Sequence, residues 1–378
     1  MIYFDNAATT RPNQRAVEAS LNYLKNDFFN PSASYREGLK LKNELKEARE
    51  ELISYIASID EVNLVFTSCG TESDDQAFFS YGTRGNVVTT EGEHSAVYAT
   101  ANELKQRGIE VRFAPLNADG SVNEEKLLSL IDGKTSFVSV IHANNETGAI
   151  NDINALARKV KQINPRAIFH SDGVQAFGKL PYTLGEYVDL YSFSAHKIGG
   201  LKGVGGLFVR KKAYAALRPY VYGGGQENGK RSGTENVFGI KQLQFSARDK
   251  FQTLQADHDR IQGYREKMWN LLDKNCFTRL SAIGGTPYIL SVTADGIRGE
   301  VLLHILEDRG VLVGMGSACS SNAQKRYSRV MLACGLDKVK ADGVIRLSFS
   351  NETTEAEIEE GAKILNECAL ELKKRMNV

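Results

Sequence analysis

Long apolar runs are missing from this chain of 378 residues. No stretch approaches the roughly 18 apolar residues that a membrane span requires. The opening MIYFDNAATT has neither a basic n-region nor an apolar core, so no signal peptide is expected. Cysteine is sparse. Cys69, Cys276, Cys319, Cys334 and Cys368 are odd in number, widely spaced and form no CxxC pair, which fits a reducing, cytoplasmic setting rather than a disulfide framework. Six scattered histidines show no HExxH or related spacing, so no built-in metal site is expected. Charge of one sign is lacking too. A formal net charge of +1 gives no long-range attraction to nucleic acid or to an anionic membrane, and neither is expected as the principal partner. Repeats and low-complexity segments are absent.

What is present is ordinary globular material, 42% hydrophobic and 25% charged. The length exceeds what one core usually supports, so two domains are expected: a large one over 13–250, and a small α+β one formed by 1–12 with 251–378. From Asn63 to Lys211, short β-branched or aromatic runs (NLVF, NVVTT, SFVSVIH, AIFHSD, VDLYSFS, GGLFVRK) alternate with helical patterns. That alternation predicts an α/β fold with a mostly parallel central sheet covered by helices. Beyond Lys250 the pattern changes. Phe251, Leu254, Ile261, Tyr264, Met268 and Leu271 are spaced for one face of a long helix, and the final helix opens on a capping box from Thr354 to Glu357. Charge runs such as LKLKNELKEAREE read as solvated helix faces.

Ligands of such folds collect at the carboxyl ends of strands, where SCGTES, EGEH, HANNETG, SDGVQ and SAHK all fall. Within SAHKIGGLKGVGG, Lys197 stands among residues too small to shield it. Taken singly, these residues are unremarkable in kind: a lone lysine is a surface charge, a strand-end aspartate a helix cap, a single histidine a structural one. Together they match a carbonyl cofactor that carries a phosphate. Lys197 supplies an amine, Asp172 a partner for a ring nitrogen, the SCGTES strand-to-helix turn with Thr71 an anion site, and His94 a flat ring to stack. Pyridoxal 5'-phosphate needs one of each.

Ten segments, in order, then carry a specific resemblance: YFDNAATT, NPSAS, FTSCGTES, EGEHSAV, HANNETG, HSDGVQAFGK, SFSAHKIGGLKGVGGL, GGGQENGKRSGTEN, GSACSS and IRLSFS. The sequence resembles the cysteine desulfurases, in the class-V aminotransferase branch of the fold-type I pyridoxal phosphate enzymes, nearly end to end. The resemblance implies Lys197 as the Schiff-base lysine, Asp172 as the pyridinium partner, His94 on the ring, and Asn145 and Gln175 near the phenolate oxygen. It implies a phosphate site from Gly70, Thr71, Ser194 and His196, with Ala195 also among the cofactor-binding residues. Thr234 would reach the phosphate of a neighbouring subunit, hence a homodimer, and Arg346 would bind the substrate carboxylate with its bidentate fork.

Such an enzyme needs a thiol to receive sulfur from L-cysteine. Cys319 lies among Gly, Ser and Ala in GMGSACSS, a setting with little apolar anchorage, matching the family's longer-loop branch. Cys276, Cys334 and Cys368 read instead as small buried hydrophobes. The expected chemistry converts L-cysteine to L-alanine and leaves a persulfide on Cys319, with His94 handling protons near the thiols. The sulfur then passes to an acceptor protein, an iron–sulfur scaffold or a tRNA-thiolating enzyme. The alternatives are a selenocysteine lyase on the same fold, or a degenerate scaffold that binds partners without chemistry. Three departures from the family pattern stand out: Tyr35 for His, Asp75 for Asn, and Cys69 for Gly. At position 69 a Cβ costs strain if the turn needs positive φ.

Overall fold

The computed structural model describes residues 1–315 and 327–376. Strand β1 is Ile2–Phe4, followed by β2 (Val62–Thr67), β3 (Asn86–Thr90), β4 (Glu110–Ala114), β5 (Thr135–Ser139), β6 (Ile168–Asp172), β7 (Leu190–Ser194) and β8 (Gly205–Arg210). After two long helices come β9 (Phe277–Arg279), β10 (Ile289–Ala294), β11 (Val311–Val313) and β12 (Val344–Ser348).

Strands β2 to β8 form one seven-stranded sheet in the order β2-β8-β7-β6-β5-β3-β4. The pairs β3–β4, β3–β5, β5–β6 and β6–β7 are parallel, and β8 runs against both of its neighbours. The predicted α/β sheet is therefore present, with β7 buried throughout and β5 and β6 buried except at Ser136 and Ile168, which are half-buried. Apolar clusters cover both faces. One joins Leu41, Leu45 and Leu52 to Phe169, Tyr191 and Phe208, and the other joins Phe78, Val97 and Leu104 to Phe137 and Leu207. One strand, β4, is absent from the sequence reading. Its alternating Glu110, Val111, Arg112 places charges on an exposed edge, as edge strands require.

A separate cluster gathers Phe4, Met268, Leu290, Leu302, Ile345 and Leu365 around the antiparallel sheet β12-β10-β9 and the parallel pair β1–β11. The capping box forms as read: Thr354 Oγ1 accepts from Glu357 N at 3.3 Å, and Glu357 Oε2 accepts from Thr354 N at 2.8 Å. The long helix is shorter than its periodicity suggested. It begins at Leu254, because Thr253 (φ −112°, ψ 7°) separates it from the helix Val237–Gln252, and Phe251 packs instead on the large core. No helix among the described residues is long and apolar enough to cross a membrane.

Candidate active site

The carboxyl ends of β2, β6 and β7 converge on one cavity of about 230 Å³, lined by Gly70, Thr71, Asp74, His94, Asn145, Asp172, Gln175, Ser194, His196, Lys197 and Arg346, among others. Each wall has a local cause. Beyond β2 the chain turns at Ser68–Cys69 into the helix Gly70–Tyr81, whose first N–H groups face the cavity without a side-chain cap. A Cβ on Gly70 would stand 2.7 Å from Val174 Cγ2, so only glycine allows that helix start to approach β6. Cys69 has φ −171° and ψ 172°, extended backbone that any residue adopts. The strain expected from its Cβ is therefore not there. Arg231 pairs with Glu72 at 2.9 Å and Glu72 accepts from Ser68 N at 2.9 Å, bracing the turn from outside.

Asp172 closes β6, buried, with Oδ1 accepting from Val174 N at 2.9 Å. Burial pushes its carboxyl up to about 6, with the Lys197 charge pulling the other way. Two further buried carboxyls stand nearby. Burial raises Asp74 well above the usual carboxylate range and Glu93 to about 8, with the charge of Asp172 adding to both. Burial therefore disfavours the charged form of both, most clearly of Glu93, while Asp172 lines the cavity opposite Lys197.

His94 caps the helix Ser95–Gln106, its Nδ1 accepting from Ala96 N at 3.2 Å, which leaves the proton on Nε2. Burial, with Lys197, Arg329 and Arg346 nearby, lowers its pKa to about 4. The ring is thus neutral and flat. Lys197 follows β7 in a 3₁₀ turn, Ala195–Lys197, and its amine donates to the carbonyls of Ala7 at 2.5 Å and Ala8 at 2.6 Å. Ser194 Oγ is buried without a hydrogen-bond partner among the described residues. Arg346 reaches in from β12; Nη1 donates to Asn145 O and Nη2 to Asp5 Oδ1, each at 2.8 Å.

Of the residues expected at the site, Gly70, Thr71, His94, Asn145, Asp172, Gln175, Ser194, His196, Lys197 and Arg346 share this cavity. Ala195 does not line it; its side chain is buried in the large core behind. Thr234 lies in a different, surface cavity with Ser68, Arg231 and Asn236. Cys319 lies outside the described residues. The residues on either side of that stretch do border the site: Gly314 forms a β-bridge with Arg346, and Arg329 donates to the carbonyls of Glu91 and Glu93 beside His94. Asp75 accepts from Thr100, and Tyr35 precedes the helix Arg36–Ser54 at the surface. The sequence reading missed Asp74, whose signal was its position three residues after Thr71 on one helix face. It also missed the Ala7 and Ala8 carbonyls, which no side chain announces.

The class-V aminotransferase family model matches residues 2–360. A cysteine desulfurase of Trichormus azollae is 34% identical over 375 residues, covering 97% of this chain and 92% of that protein. A solved structure described as a NifS-like protein superposes with a TM-score of 0.89 at 32% identity, covering 98% of this chain and 99% of the other. Another, described as SspA in complex with cysteine, gives a TM-score of 0.80 at 28% identity over 94% of this chain and all of that one (100%). The chain belongs to the class-V aminotransferase family, in its cysteine desulfurase branch.

Proposed function

We propose that the cavity holds pyridoxal 5'-phosphate and that the protein converts L-cysteine to L-alanine, moving the sulfur onto the Cys319 thiol. The observation that carries this reading is the gathering of an amine, a buried carboxylate and an open helix start in one cavity: Lys197, Asp172 and Gly70–Thr71. The fit to the cofactor rests on this chain's own atoms. The unpartnered Ser194 Oγ and the side-chain-free approach at Gly70 make a cradle for a phosphate. Asp172 suits a protonated ring nitrogen, Gln175 and Asn145 suit the ring oxygen, and His94 suits the ring face. When bound, the cofactor supplies an electron sink for the substrate's α-carbon.

The side chains divide the remaining work. Arg346 holds the substrate carboxylate and so orients the α-carbon toward Lys197, whose Nζ takes the α-proton. The Cys319 thiolate attacks the substrate sulfur. That sulfur leaves carbon for Cys319, and the three-carbon skeleton takes up protons and departs as alanine. Cysteine and one thiol thus give alanine and one persulfide, with no external oxidant. A thiol near its ordinary pKa of about 8.5 is mostly protonated at neutral pH, so ionisation of Cys319 is part of the step. His94, neutral with its proton on Nε2, contributes a stacking face and one donor; a store of positive charge at neutral pH is not among its roles.

Thr234, exposed and remote from its own cavity, serves the phosphate site of a second copy in a homodimer. The persulfide goes on to an acceptor protein of iron–sulfur or tRNA-thiolation type, in the cytoplasm, where the free Cys69, Cys276, Cys334 and Cys368 stay reduced. The test is incubation of the purified protein with L-cysteine, with assays for alanine and for sulfide released by a reductant, and mass analysis of the peptide bearing Cys319. Alanine together with a mass increase of one sulfur is expected. A colourless protein that forms neither product overturns the reading.

A further inference from the structure

One buried cation belongs to neither the catalytic inventory nor the surface. Lys179 follows the turn after β6 and is buried, with its amine donating to Gln175 Oε1 at 2.9 Å. Gln175 in turn donates from Nε2 to Ala7 O at 2.8 Å, and Ala7 O is the same atom that accepts from Lys197 at 2.5 Å. Three hydrogen bonds therefore link Lys179, through one side-chain amide and the Ala7 carbonyl, to the site lysine.

The polarity of that amide is fixed at Ala7. A backbone carbonyl only accepts, so the group facing Ala7 must be the NH₂. With the NH₂ committed there, the oxygen is the group left to face Lys179, whose amine donates to it. An NH₂ group carries two hydrogens, and Ala7 uses one. The second has no protein partner among the described residues, and Gln175 lines the cavity. We propose that Lys179 is a positioning residue of the site: by donating to Oε1 of Gln175 it holds that amide with its remaining N–H available to the cavity.

The energetic argument favours this over a packing role. Burial makes Lys179 a costly residue. It lowers the amine's proton affinity well below normal, and the charges of Lys197, Lys250 and Arg346 add to the effect. His196 also feels its charge, and the Tyr288 ring lies 5.9 Å away. Methionine would fill the same space without desolvating an amine; what lysine adds is the donor. Without that donor, Gln175 Oε1 becomes a buried acceptor that has lost its partner, a cost that the amide relieves by rotating. Rotation takes the N–H out of the cavity.

This inference rests on the pyridoxal phosphate reading, in which that N–H meets the cofactor's ring oxygen. A donor on the oxygen weakens the hold on the proton at the neighbouring lysine nitrogen, so losing it raises the pH midpoint of the cofactor's visible absorption. The experiment is a double-mutant cycle on holoenzyme: wild type, Lys179→Met, Gln175→Ala and the double variant, each titrated spectroscopically. Lys179→Met and Gln175→Ala are each expected to raise the midpoint by about one pH unit, and the double variant to move it no further. If Lys179→Met does not fold, Lys179→Gln replaces it, and a partial upward shift is expected because the neutral amide can turn either end to Gln175. A midpoint unchanged in the lysine variant overturns the proposal, as does an additive double variant, which would mean that Lys179 acts independently of Gln175. Wild-type protein with no visible band would instead defeat the cofactor reading, and this inference with it.

Discussion

Arg346 Nη2 lies 2.8 Å from Asp5 Oδ1, a pairing across 341 positions of sequence. It ties β12 to the residue that follows β1, and it sets one edge of the cavity. The guanidinium also donates to Asn145 O, so one side chain holds two protein groups in place and still lines the cavity, which suits the substrate-carboxylate role proposed for it. A lysine ammonium has three hydrogens and no fork, and it cannot meet both protein acceptors and grip a carboxylate in two places. Arg346→Lys is expected to raise KM for L-cysteine on the order of tenfold, about 1.4 kcal/mol, with a smaller change in kcat. Steady-state alanine production measures both. An unchanged KM would remove Arg346 from substrate binding.

The acid limb of cofactor binding should belong to Asp172. Its carboxyl is pushed up to about 6 in the folded protein, so it is charged above that pH and neutral below it. A ring nitrogen held protonated needs the charged form. Affinity of the cofactor-free protein for pyridoxal phosphate is therefore expected to fall about tenfold for each pH unit below 6 and to level off above it. The cofactor's own phosphate also titrates, and Asp172→Asn separates the two: that variant binds weakly throughout and lacks the carboxylate's limb. Fluorescence titrations from pH 5 to pH 8 give the comparison. Parallel curves for the two proteins would sink the assignment.

Much of this site was legible because strand ends are legible. Asp172 and Ser194 each close a buried apolar run, and the periodicity that marks the strand also marks its last residue. Thr354 and Glu357 announce their helix start by chemistry that is wholly local. What escaped was set by tertiary structure. Strand β4 has five residues with two charges, Glu110 exposed and Arg112 half-buried, too little apolar content to distinguish it from a loop. Asp74 reads as one more charge on a helix, and only the sheet beneath makes it a buried carboxyl. Lys179 looks like a surface lysine before a proline-containing turn. Ala7 has no side-chain chemistry at all; its carbonyl matters because β1 folds back from the far end of the chain.

Glu93 offers a test of the buried carboxyls apart from any cofactor. Its Oε1 accepts from Ile141 N and Thr90 Oγ1, while Oε2 is buried with no partner among the described residues. Its pKa rises from 4.5 to about 8 on folding. A carboxyl whose folded value is raised costs no ionisation free energy below pH 4.5. It destabilises the fold progressively as pH rises, and the penalty is complete once pH passes 8. Glu93→Gln keeps the shape and removes the titration. Its Tm relative to wild type is therefore expected to climb as pH goes from 5 to 8, and the wild-type curve should be the steeper of the two. A difference in Tm that stays constant with pH would mean that Glu93 is not the group responsible.

Two cysteines bear on the sulfur chemistry, and substitution separates them. Cys69 borders the cavity, but its backbone is extended at φ −171°, so alanine or glycine can replace it without conformational cost. Its carbonyl, which any residue supplies, accepts from Thr67 and Ser73, and among the described residues its thiol makes only a weak 3.7 Å contact with Ser68 Oγ. Cys69→Ala is therefore expected to retain the visible cofactor band, alanine formation and the persulfide. Cys319→Ala is expected to retain the band and lose both products, because the α-proton can still be removed but no thiol is present to accept sulfur. Absorption spectra, alanine assays and peptide masses on the two variants make the comparison. Persulfide surviving in Cys319→Ala and vanishing in Cys69→Ala would transfer the acceptor role to the phosphate turn, and with it the need for a thiol that reaches the site from outside.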